Sequence, residues 1–101
     1  AGPATTFARP LLHEAASHGH SPVVEMLLGA RAEVDAREAF GASAAHYAAA
    51  KGHLSVLGAL EDGGGDLQAT DGEGLRPVDW AAQRGHGEVA EHLTAAGGRG
   101  G

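Results

Sequence analysis

Apolar residues along this chain fall in short stripes of helical spacing, separated by glycine-bearing turns. Val23, Val24, Leu27 and Leu28 sit at i, i+1, i+4 and i+5, on one face of a helix. Pro22 stands at the first helical position, where its missing N–H costs nothing, and Ser21 is placed to cap. A comparable stretch, 87–94, is much more polar, with Glu88, Glu91, His92 and Thr94 among its apolar positions. Such a helix suits an outer face that meets water rather than a neighbour. Shorter alanine-rich helices precede each of these, and the pattern predicts pairs of helices in a row.

The row is periodic. Residues 12–20, Leu-His-Glu-Ala-Ala-Ser-His-Gly-His, return as Ala-His-Tyr-Ala-Ala-Ala-Lys-Gly-His at 45–53 and as Val-Asp-Trp-Ala-Ala-Gln-Arg-Gly-His at 78–86. His13, His46 and Asp79 are spaced by 33, as are Gly19, Gly52 and Gly85. Those glycines fall where one helix stops and the chain reverses, which calls for a left-handed backbone. The pairs Ala15-Ala16, Ala48-Ala49 and Ala81-Ala82 let neighbouring helices approach closely.

A period of 33 with this motif resembles the ankyrin repeat. Residues 23–28 are similar to that family's second helix. Residues 64–69 and 32–36 resemble its Gly-Ala-Asp-Val-Asn-Ala lead-in, and Asp71-Gly72-Glu73-Gly74 resembles its loop tip. The likeness covers roughly residues 5–97. It implies an all-α solenoid of three stacked helix-turn-helix units joined by β-hairpin-like loops. The repeat domain would span 1–97, with repeats at about 5–37, 38–70 and 71–97, the last a C-terminal cap. A flexible glycine-rich tail would follow at 98–101.

Departures from the family pattern mark weak points. Arg31 stands where the family has Gly, and a positive φ there would cost about 1 kcal/mol unless Gly29 absorbs the turn. In Pro10-Leu11-Leu12-His13 the proline is displaced by one place. Ser43 keeps the expected hydroxyl three residues before His46, whereas the third unit has Arg76 and Asp79. Those two either form a charge pair at i, i+3 or are solvated independently.

Composition narrows the function. The chain has 101 residues, a net charge of −6 and one lysine, so no basic stripe exists to meet phosphate backbones, and nucleic acid is not expected as a partner. No cysteine is present, which excludes disulfides and thiolate zinc sites. Residues 1–10 do not read as a signal peptide, and no run of about 20 apolar residues is available to span a bilayer. An intracellular monomer without cofactor is expected. No catalytic constellation is found: Gly63-Gly64-Gly65 leads to no Lys-Ser/Thr, and Asp71 to Gly74 form a turn rather than a phosphate cradle.

Seven histidines raise a metal reading through His13, His18 and His20. The register explains most of them otherwise. His20, His53 and His86 are one turn position copied three times, His13 and His46 one helix-start position copied twice. Only His18 and His92 stand outside that account.

Resemblance to the ankyrin family implies binding of another protein or peptide on a concave side made of loop tips and first helices. Glu14, Tyr47 and Trp80 are equivalent there, with Ser17-His18, Ala50-Lys51 and Gln83-Arg84 three and four residues further along. The loop tips add Ala39, Phe40 and Ala42 in the second unit and Gly72, Glu73 and Leu75 in the third, with Phe7 and Arg9 as counterparts in the first. Phe40, between Ala39 and Gly41, has little local core to join and is the foremost binding candidate. Tyr47 and Trp80 fit either an interface or packing between helix and loop. Three other readings stand beside this one. The last unit is similar to the closing repeat of small ankyrin-type cyclin-dependent kinase inhibitors, which suggests a regulatory inhibitor. The others are a self-associating structural stack and a histidine metal site.

Overall fold

The computed structural model describes residues 11–30, 34 and 36–100, with side chains to residue 95. Phe7, Arg9 and Arg31 lie outside the described residues. Among the described residues six helices follow one another: α1 (Leu11–Ser17), α2 (Ser21–Gly29), α3 (Ala44–Lys51), α4 (Leu54–Asp62), α5 (Pro77–Gln83) and α6 (Gly87–Gly100). They pair as α1 with α2, α3 with α4 and α5 with α6. The inner helices stack α1 on α3 on α5, while α2 stacks on α4 behind them.

Small residues set the spacing of the inner layer. Ala16, Ala48, Ala49 and Ala81 are fully buried between neighbouring helices, whereas Ala82, on the last inner helix among the described residues, is exposed. Larger side chains, Val24, Val56, Leu57, Leu60, Val89 and Leu93, fill the space between the two layers. Ser21 does not cap α2. That helix begins after His20, and the Ser21 hydroxyl instead meets the Ser55 hydroxyl of α4 at 2.8 Å. Helix α6 runs through Gly100, past the point where a tail is expected to begin.

Each turn between paired helices has a left-handed glycine: φ is +75° at Gly19, +78° at Gly52 and +80° at Gly85. Two of the three carry a second constraint. A Cβ on Gly19 would lie 2.8 Å from the His53 ring, and one on Gly52 would lie 2.7 Å from His86 Nδ1. The histidine of each turn therefore lies over the glycine of the previous turn. His53 Nε2 also donates to the Ser17 carbonyl at 3.1 Å. Gly85 has nothing within 4 Å of its would-be Cβ.

A second set of imidazoles links each inner helix to the loop of the next repeat. His13 Nε2 donates to the Ala42 carbonyl at 2.9 Å, and His46 Nε2 donates to the Leu75 carbonyl at 2.8 Å. The acceptors are 33 residues apart, like the donors. His46 is locked at both ends. The Ser43 backbone N–H donates to its Nδ1 at 3.1 Å, and the Ser43 hydroxyl stands 3.0 Å from the same atom. A backbone N–H can only donate, so Nδ1 is unprotonated and Nε2 carries the hydrogen. In the third unit Asp79 replaces the histidine. Its carboxylate accepts the Arg76 backbone N–H at 2.9 Å, while the Arg76 guanidinium stands 3.9 Å away on a half-exposed surface. The backbone bond is the counterpart of the Ser43 N–H bond to His46, and the Arg76–Asp79 charge pair stands where the second unit has its hydroxyl–histidine contact.

Burial holds His46 below the ordinary histidine range, against opposing contributions from the Leu75 bond and from Asp71. Because its folded pKa lies below its unfolded value, the unfolded chain binds a proton more readily. Stability is thus complete above about pH 6.5 and is lost as pH falls from there through the folded value. The melting temperature followed by circular dichroism should decline between pH 7 and pH 5, and His46→Gln should flatten that decline. The paired glycines give a second test. Gly85→Ala should cost about 1 kcal/mol from its left-handed backbone alone, and Gly52→Ala should cost more in urea unfolding because the His86 ring must also move.

Candidate functional site

Among the described residues two five-residue loops, 38–42 and 71–75, project beside the inner helices. Each is a tight hairpin. In the first, Glu38 N–H donates to the Ala42 carbonyl and Gly41 N–H to the Glu38 carbonyl, both at 2.9 Å. In the second, Asp71 N–H donates to Leu75 O at 2.8 Å and Gly74 N–H to Asp71 O at 3.0 Å. Gly41 and Gly74 both take φ of +82°, the left-handed position this three-residue connection requires. Gly72 N–H donates to the Phe40 carbonyl at 2.9 Å, which joins the two tips.

An acid at the base of each loop fixes the tip and an aromatic side chain together. Glu38 Oε1 accepts the Phe40 and Ala42 N–H groups at 2.6 and 3.0 Å, and its Oε2 accepts the Tyr47 hydroxyl at 2.7 Å. The same arrangement returns 33 residues later. Asp71 Oδ1 accepts the Glu73 and Leu75 N–H groups at 2.8 and 2.9 Å, and Oδ2 accepts Trp80 Nε1–H at 2.9 Å. Burial alone would raise both carboxyl pKa values. For Glu38 the bonds from Tyr47, Ala42 and Phe40 outweigh it, and for Asp71 those from Leu75, Glu73 and Trp80 do, so both lie below the usual range. Arg37 adds a tie between units, donating to the Thr70 carbonyl at 2.7 Å and to the Gly41 carbonyl at 3.2 Å.

The aromatic rings form a chain of edge-to-face contacts. Tyr47 meets His13 at 5.4 Å and 72°, Trp80 meets His46 at 5.1 Å and 67°, and Tyr47 meets Trp80 at 5.8 Å and 81°. Tyr47 and Trp80 therefore brace the loops, and both remain half-exposed.

Between the loops and the inner helices lies an open cleft of about 740 Å³. Of the residues expected on the binding side, Ala39, Phe40, Tyr47 and Glu73 line it, together with Leu75, Trp80, Gln83 and Arg84. Phe40 is 78% exposed at the tip. The structure does not bring the rest of the expected strip into this cleft. Ala42 is wholly buried, because it closes its hairpin and its carbonyl receives His13, so it offers no surface to a partner. Lys51 is exposed on α3 outside the cleft. Glu14 and His18, 3.3 Å apart, border a separate hollow of about 230 Å³ with Leu11, Val23 and Leu27.

Glu38, Asp71 and Arg37 carry the geometry, yet none of them is distinguished by residue type alone. The legible signal was positional: an acid stands nine residues before Tyr47 and again before Trp80, at the repeat spacing. The histidines do not converge. His18 and His20 stack at 5.9 Å while His13 is turned to the Ala42 carbonyl. Among the described residues no group of three or more His, Cys, Asp or Glu is placed to hold a metal ion. His92, one of the two outside the register, lies 3.5 Å from Glu61 on α4.

A family model described as ankyrin repeats (3 copies) matches residues 12–99. No curated protein matches the chain. The acid–aromatic clamp yields a quantitative expectation. Trp80→Phe and Asp71→Asn should each cost about 1 kcal/mol, and urea unfolding of the double variant should reveal a coupling of at least about 0.5 kcal/mol.

Proposed function

Because the chain belongs to the ankyrin-repeat family, whose repeats are generally protein–protein interaction modules, we propose that it holds a partner protein in the cleft between its two hairpin loops and its inner helices. One observation carries this reading. Phe40 presents a large apolar ring to solvent on a loop whose backbone is held by Glu38, Gly72 and Arg37. A rigidly mounted exposed aromatic loses little conformational freedom on contact, which favours it as a binding anchor. Tyr47 and Trp80 give the cleft an aromatic wall, and Leu75 adds an apolar one.

The protein acts on this reading as a monomer inside the cell, without cofactor, and its partner is neither nucleic acid nor membrane. No helix among the described residues is long and apolar enough to cross a membrane. Light scattering on the purified chain tests the monomeric state directly.

Affinity capture from a cell extract, comparing the intact chain with Phe40→Ala, tests the binding face. Phe40 supports no other element, so the variant should melt within about 0.5 kcal/mol of the parent. Its partner should be retained at least about tenfold more weakly. Undiminished capture by a normally folded Phe40→Ala chain would remove this face from the function.

A further inference from the structure

We infer that the cleft receives a basic side chain of the partner, an arginine or lysine laid against the Tyr47 and Trp80 rings and directed toward Glu73. This names the partner's chemistry and rests on the face proposed above. The shape comes from the rings. Tyr47 and Trp80 stand at 81° to one another with centroids 5.8 Å apart, so they wall the cleft on two sides, with Phe40 at its mouth. Aromatic faces attract a cation, and its aliphatic stem can lie along Leu75 and Phe40.

Charge decides between a cationic and an anionic occupant. Three carboxylates, Glu38, Asp71 and Glu73, line the cleft against one cation, Arg84. Hydrogen bonds orient the first two without neutralising them, and their lowered pKa values keep them ionised well into the acid range. Glu73 is exposed, and its side chain has no partner among the described residues. Away from the cleft, the outer helices α2, α4 and α6 carry Glu25, Glu61, Asp62, Glu88 and Glu91, which add to the net negative charge of the chain rather than to the cleft itself. A chain of net charge −6 draws basic segments in and repels acidic ones. Arg84, four residues beyond Trp80, repels a cation from the helix end of the cleft and so directs it to the loop end, beside Glu73.

Trp80 is the only tryptophan, so its fluorescence reports on the cleft. The intact chain is titrated with two end-blocked hexapeptides, Gly-Leu-Arg-Leu-Arg-Gly and Gly-Leu-Glu-Leu-Glu-Gly. The arginine peptide should bind at least about tenfold more tightly, and less tightly as salt rises. Glu73→Gln should weaken it roughly threefold and Arg84→Ala should strengthen it roughly threefold, both with unchanged melting. The inference is overturned if the glutamate peptide binds better, if neither substitution moves the arginine peptide, or if that peptide does not bind at millimolar concentration. Failure here with Phe40-dependent capture would discard only the basic chemistry. Capture that survives Phe40→Ala would discard the face itself.

Discussion

The imidazole N–H that crosses from one repeat to a loop carbonyl of the next is the contact on which the rest depends. His13 reaches Ala42 and His46 reaches Leu75. Each bond buries a ring between an inner helix and a hairpin and so fixes how far the loop stands from the helix. At His46 the ring must be neutral, because its Nδ1 stays unprotonated to receive the Ser43 N–H. Loop position, cleft width and the setting of the aromatic rings all follow from a hydrogen bond in a place where charge is costly.

Two further devices act in the same direction. The turn histidines seat on left-handed glycines of the preceding unit, which registers the outer edges of the stack. The acids Glu38 and Asp71 then convert a loop position into a side-chain position, since each holds both a hairpin tip and an aromatic donor. The cleft is consequently stiff where a partner would touch it. At the last unit the pattern changes in a consistent way. Asp79 turns its carboxylate to its own helix start and has no N–H to offer a further loop, and Gly85 carries no ring.

The side proposed for binding is also divided in a way that equivalence of positions conceals. Glu14, Tyr47 and Trp80 share one place in the repeat, yet Glu14 pairs with His18 beside a different hollow. The two aromatic residues line the main cleft. Tyr47 and Trp80 each have a loop acid to grip, and among the described residues no such acid reaches Glu14, which could not donate to it in any case while ionised.

The 33-residue spacing determined the helix pairs, their order and the glycine turns by itself. Helix amphipathicity and turn chemistry are local properties, readable from neighbouring residues. It also placed Phe40 on a loop with no core to enter, and the structure leaves that ring in solvent. Tertiary structure alone decided which side chains stayed available. Ala42 was lost to burial because its carbonyl is the acceptor of a histidine 29 residues earlier. Lys51 and Glu14 fell outside the cleft because its walls are the loops of the second and third units, not the inner helices alone. Glu38, Asp71 and Arg37 gained their roles from bonds between segments that the chain brings together only on folding. A local pattern shows which face a residue occupies, but whether that face meets solvent, a loop or another repeat depends on contacts between residues distant in the chain.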